Sequence, residues 1–114
     1  MAVSREFREY VLEQLGRVAP VTSRAMFGGV GIYSGGRFFA LMSGEAVYFK
    51  TDDSNRADFE RAGMGPFRPF GEESPPMRYH ELPGDLLESP DALRPWVEKA
   101  LAVARSAGSA RKRK

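Results

Sequence analysis

Between Ser23 and Thr51 the chain is cut by glycine into short runs rich in aromatic and β-branched residues. The runs are Ala25-Met26-Phe27, Val30-Gly31-Ile32-Tyr33, Arg37-Phe38-Phe39-Ala40-Leu41-Met42 and Ala46-Val47-Tyr48-Phe49-Lys50. Such residues suit a pleated, half-buried surface. Parallel strands need a crossover of about a dozen residues, and the gaps here are far shorter. The pattern therefore predicts an antiparallel meander, with hairpin turns at Ser34-Gly35-Gly36 and Ser43-Gly44-Glu45.

Helical periodicity flanks this region. Over residues 4 to 16, Phe7, Tyr10, Val11, Leu15 and Val18 share one face, while Arg5, Glu6, Arg8, Glu9 and Glu13 take the other. Ser4 is positioned to cap the first turn, and Gly16 to end the helix in the left-handed region. A short helix is predicted over Ser54 to Ala62, capped by Asp52 or Asp53, with Ala57, Phe59 and Ala62 as its apolar positions and Gly63 as its stop. Ser89-Pro90-Asp91 opens a last helix with a cap, a proline at the first helical position and an acid near the positive dipole end. Its stripe is Leu93, Trp96, Val97, Ala100, Leu101 and Ala104. Pro95 removes one early hydrogen bond, so it should kink this helix or mark a restart.

Two further strands are expected. One lies near Phe67 to Phe70, confined by its prolines to an edge or an irregular pairing. The other is Met77 to Leu82, with Met77, Tyr79 and Glu81 on one face and Arg78, His80 and Leu82 on the other. Together these elements predict an α+β domain, an antiparallel sheet with packed helices in the order α-β(3)-α-β(2)-α, a fourth early strand being optional. Residues 1–106 form one domain in this reading, and 107–114 a disordered basic tail.

Composition narrows the chemistry. The chain has no cysteine, which excludes disulfides, thiolate nucleophiles and cysteine-ligated metals, and its single histidine, His80, excludes multi-histidine sites. Of 17 basic residues, four are the last four, Arg111, Lys112, Arg113 and Lys114; without them 13 basic residues face 15 acidic ones. The body is slightly acidic, so a uniformly basic nucleic-acid face is not indicated. No run of apolar residues is long enough to cross a membrane. The charged amphipathic N-terminus does not read as a signal peptide, and the cytoplasm is the expected compartment.

Each candidate for chemistry competes with a structural role. Gly28-Gly29-Val30-Gly31 resembles a phosphate loop only in glycine content: no Gly-Lys-Ser/Thr follows, and a strand stands where a helix N-terminus is required. A bulge or tight strand crossing is the favoured role. His80 with Asp52, Asp53, Glu72, Glu73 and Glu81 could serve acid–base chemistry, provided a pocket gathers them. A half-exposed strand histidine among solvated acids is the plainer reading. The strand aromatics, interleaved with Arg24, Arg37, Lys50, Arg68 and Arg78, resemble a stacking platform for single-stranded nucleic acid. They read more simply as the core of a small sheet. The basic tail can touch phosphates without sequence specificity, or merely solubilise the chain end.

The segment Arg24-Ala25-Met26-Phe27-Gly28-Gly29-Val30-Gly31-Ile32-Tyr33 resembles the N-terminal domain of the TfoX/Sxy family. Phe39-Ala40-Leu41 and Val47 to Asp52 extend the likeness. So do Phe59, Gly63, Pro66-Phe67, Phe70, Met77, Tyr79, Pro83, Leu93, Trp96, Ala100 and Leu101. The resemblance spans about residues 5 to 105. It implies the same α+β arrangement and a part in regulating natural competence, full-length members being thought to act with the cyclic-AMP receptor protein. It implies no catalytic residues and no cofactor. Full-length regulators carry a second, helix-hairpin-helix domain, where this chain has its basic tail.

The expected function is a non-enzymatic protein-interaction module of a transcription-regulator type, with no cofactor or metal, docking a transcription-factor partner by an exposed sheet edge near the Pro-rich strand. The alternative is direct binding of nucleic acid through Arg111, Lys112, Arg113 and Lys114 and the sheet arginines. An enzyme using His80 is a third reading.

Overall fold

The computed structural model describes residues 3–26, 28–67 and 78–112, with backbone alone for Met26 and 107–112. Helix α1, Arg5–Gly16, leads into strands β1 (Thr22–Met26), β2 (Gly29–Ser34), β3 (Arg37–Ser43) and β4 (Ala46–Lys50). Helix α2 (Arg56–Arg61), strand β5 (Tyr79–Glu81), a 3-10 turn (Gly84–Glu88) and helix α3 (Pro90–Lys112) follow. The five strands form one sheet in the order β1-β2-β3-β4-β5, every described pairing antiparallel. The fold is the α+β meander that the glycine punctuation predicts, with four strands rather than three ahead of α2.

The turns are as short as sequence allows. Ser34 pairs with Arg37 across Gly35 and Gly36, whose φ values are +59° and +79°. Positive φ at both central residues is the hairpin geometry that matches strand twist, and only glycine adopts it cheaply. Gly44, at φ +61°, opens the equivalent turn between Ser43 and Ala46. Gly28, at φ +76°, sits in the β1–β2 turn, and Gly29 to Gly31 lie inside paired β2. A strand thus follows this glycine cluster, and the backbone there is spent on the ladder.

Helices pack on one face of the sheet. Val30, Ile32, Ala40, Met42, Val47, Phe49 and Leu82 point into it, meeting Val11 and Leu15 of α1, Phe59 of α2 and Leu93, Val97 and Ala100 of α3. The register between β2 and β3 shifts at Ile32/Tyr33, so Ile32 opposes Ala40 while Tyr33 opposes Phe38. Phe39 is the extra residue of this bulge, which explains why both Phe39 and its neighbour Ala40 are wholly buried.

Local capping follows the sequence in part. The Ser4 hydroxyl accepts from the Phe7 N–H at 3.1 Å, and the Ser89 hydroxyl from the Ala92 N–H at 3.4 Å. Gly16 is not in the left-handed region: it is the last helical residue, and Arg17 caps the helix with helical angles. Tyr10 is exposed, and Gln14 takes the buried place, its amide donating to the Leu87 carbonyl at 2.6 Å. Helix α2 starts later than predicted, with Asn55 rather than Asp52 or Asp53 as its cap residue, and buries Phe59 but neither Ala57 nor Ala62. Gly63, at φ +78°, ends it in a Schellman motif: Met64 N–H donates to the Phe59 carbonyl and Gly63 N–H to that of Glu60. Helix α3 is one element through Pro95, without a restart. Its backbone is helical to Lys112.

Candidate functional site

Strand β5 is the hinge of the chemistry. Its outer side is taken by residues 65 to 67: Phe67 N–H donates to the Tyr79 carbonyl at 2.7 Å, and Glu81 N–H to that of Gly65 at 3.1 Å. Pro66 lies opposite His80 between these two bonds. That is the non-hydrogen-bonded position of an antiparallel pair, where the missing proline N–H costs nothing. Of the strand predicted near Phe67 to Phe70, this short pairing is the described part. Arg68, Phe70, Glu72, Glu73 and Met77 lie outside the described residues.

His80 pairs with Phe49 on the helix-bearing face and is only 6% exposed. The half-exposed histidine of the sequence reading is thus a buried one. Its Nδ1 is 2.9 Å from the Thr51 hydroxyl. Thr51 is itself buried, and its N–H donates to the Arg78 carbonyl at 2.9 Å. The Phe59 ring stands 5.8 Å from the imidazole. Burial pushes the His80 pKa below its ordinary value, with Arg56 adding to the fall and Glu60 opposing it. The native ring is therefore neutral at pH 7.

A cleft of about 360 Å³ opens over this pair, lined by Thr51, Asp52, Asp53, Arg56, Glu60, Pro66, Arg78 and His80. Sequence reasoning brought Asp52 and Asp53 to His80 only as a conditional; the structure does gather them, and adds Glu60, Arg56 and Arg78. Each of Asp52, Asp53 and Glu60 already holds one partner. Asp52 accepts from the N–H and hydroxyl of Ser54, closing a turn. Arg56 bridges Asp53 at 2.8 Å and Glu60 at 3.7 Å. Glu81 is not part of the lining; it pairs with Tyr48 on the opposite face, and burial together with the Glu81 charge raises the Tyr48 pKa. No group of three metal-ligating side chains occurs among the described residues.

The aromatics divide in two. Phe39 and Phe49 meet edge to face at 5.7 Å in the core, as the plainer reading holds. Tyr33, Phe38 and Tyr79 form a row on the sheet's other face, with ring centroids 5.1 and 5.6 Å apart, and Tyr48 meets Phe67 at 4.7 Å. Strand alternation explains the split, and the bulge at Phe39 sets it. The basic residues divide too. Arg24 and Lys50 share the face of this row, Arg37 stands beside the β2–β3 turn, and Arg78 lines the cleft. Arg111 and Lys112 fall in the last turn of α3; Arg113 and Lys114 lie outside the described residues.

The two edges of the sheet differ. Residues 65 to 67 occupy the side of β5, whereas Thr22, Ser23, Arg24 and Ala25 of β1 are all exposed. Met26 pairs with Gly29, three residues on, and so close a connection makes theirs the closing hydrogen-bonded pair; by strand alternation Arg24 and Thr22 then bond to β2, and Ser23 and Ala25 direct their N–H and C=O groups outward. Among the described residues, β1 is thus the exposed edge; most of the Pro-rich segment lies outside the described residues.

A single helix-backed meander, with its β1 edge exposed and its cleft acids tied into turns and ion pairs, defines a small α+β domain. The chain belongs to the TfoX N-terminal domain family, whose model matches residues 13–104. That is a family of competence-related regulatory domains, not known as enzymes. No curated protein matches the chain. No helix among the described residues is long and apolar enough to cross a membrane.

Proposed function

We propose that this domain is a non-enzymatic interaction module that docks a transcription-factor partner by strand addition to β1. The observation that carries this reading is the inequality of the edges among the described residues: Thr22 to Ala25 of β1 are exposed, while β5 is already paired. Main-chain bonds from Ser23 and Ala25 supply affinity to an extended segment, and Arg24 supplies selectivity. Antiparallel self-pairing about Arg24 would set two guanidinium groups opposite each other, which is unfavourable. A partner strand with Asp or Glu at that position is matched instead.

The test uses the intact chain and purified cyclic-AMP receptor protein, the partner that the family resemblance implies. Ala25→Pro deletes an outward N–H and leaves the β1–β2 bonds in place. Binding by the native chain and its loss in Ala25→Pro, with the melting temperature held, support the proposal. No binding, or equal binding by both, overturns it. Binding of DNA that disappears when Arg111 to Lys114 are removed would favour the nucleic-acid alternative. The spread of Arg24, Arg37 and Arg78 over different faces speaks against that alternative, since such binders need a continuous basic groove.

A further inference from the structure

The cleft over His80 holds more than the docking function uses. Its floor is two buried polar side chains, Thr51 at 3% and His80 at 6% exposure, bonded to each other through Nδ1. Nε2 is the ring nitrogen which that bond does not use. Both His80 and Thr51 line the cleft.

The rim is asymmetric. Arg56 is held between Asp53 and Glu60, but Arg78 is exposed and has no ion-pair partner among the described residues. One cation, Arg56, and three carboxylates, Asp52, Asp53 and Glu60, line the α2 side with a net negative charge, and the Arg78 guanidinium, unpaired among the described residues, stands on the β5 side. A guanidinium takes a carboxylate through two parallel bonds. The remaining oxygen sites of Glu60 and Asp52 suit an ammonium group. About 360 Å³ lies near the lower end of ligand cavities, which selects a single small molecule over a dinucleotide.

We propose that this cleft binds a small zwitterion of the free amino-acid class, with its carboxylate on Arg78, its ammonium towards Glu60 and Asp52, and its body over Pro66 and the Thr51–His80 pair. A simple anion would face the acids of the rim, and a simple cation would face Arg78. Only a molecule carrying both charges satisfies each side. The site lies on β5 and α2, away from the open edge β1, so its occupancy is measured without reference to any protein partner.

Amide NMR titration of the intact chain tests this, using each of the twenty L-amino acids at millimolar concentration, with acetate and ethylammonium as half-probes. At least one amino acid should shift the Thr51, Arg78 and His80 amides in a saturable way, with both half-probes silent. Arg78→Gln and Glu60→Gln should each weaken that binding about tenfold, the scale of one charged hydrogen bond. Both residues are exposed, so the variants should fold, and an unchanged melting temperature verifies it. No saturable shift with any amino acid overturns the proposal. So does acetate or ethylammonium binding as well as the amino acid, or Arg78→Gln binding as tightly as the native chain.

Discussion

The imidazole of His80 and the hydroxyl of Thr51, 2.9 Å apart, form a buried hydrogen bond between the end of β4 and the centre of β5. Burial disfavours the charged ring, so the native pKa lies below 6.5. The unfolded chain therefore binds the proton more readily than the native one. Stability is full above pH 6.5 and falls as pH drops from there towards the depressed native value. His80 is the chain's one histidine, so the assignment is unambiguous. Urea midpoints measured between neutral and mildly acidic pH should show this fall in the native chain and a flatter profile in His80→Gln. An NMR titration of the ring with its midpoint at or above 6.5 would contradict the account.

The partner of that bond is the next test. Thr51→Val keeps the shape of the side chain and removes the hydroxyl. It leaves Nδ1 buried without its partner, a loss of about 1–3 kcal/mol. Denaturant unfolding at pH 7 measures it. Thr51→Ser should retain the bond and most of the stability.

Much of this architecture was legible because backbone demands and side-chain periodicity coincide. Gly35 and Gly36 announce a turn whose φ values no other residue adopts cheaply, and the α3 stripe from Leu93 to Ala104 repeats at helical spacing. The bulge at Phe39 was not legible, since two consecutive phenylalanines give no sign of which one faces the core. Neither was the fate of Gly16, where a glycine that could end the helix in the left-handed region simply ends it as a helical residue. The cleft was half legible. Asp52, Asp53 and His80 were visible as candidates, but Glu60, Arg56 and Arg78 join them only through the antiparallel docking of β5 on β4 and the placement of α2. The period-two pattern of Met77 to Leu82 put Arg78 and His80 on one face. What it could not supply was that this face is covered by α2.

Phe59 ties α2 to the rest. Its ring is 1% exposed, meets Trp96 of α3 edge to face at 4.8 Å and stands beside His80. Helix α2 has six residues, too few to persist alone, so this one ring carries most of its docking. Phe59→Ala should cost about 3–5 kcal/mol. Chemical denaturation gives the value, and faster amide exchange in Arg56 to Arg61 than in α1 would show the loss to be centred on α2.

The exposed ion pair between the same helices should matter much less. The Lys99 ammonium donates to Asp58 at 2.7 Å, and Arg61 contacts the same carboxylate. The Lys99 hydrogen bond holds the Asp58 carboxyl below its ordinary 3.8, despite some opposing desolvation, with the charges of Lys99 and Arg61 adding to the effect. A lowered acid pKa contributes stability that is present above 3.8 and lost as pH falls through the native value. Because the Lys99 side chain is 53% exposed, water and salt screen most of the attraction. Asp58→Asn should cost under about 1 kcal/mol at neutral pH, and less as salt is added. A loss comparable to that of Phe59→Ala would mean that polar clamping, rather than the Phe59–Trp96 contact, holds α2 to α3.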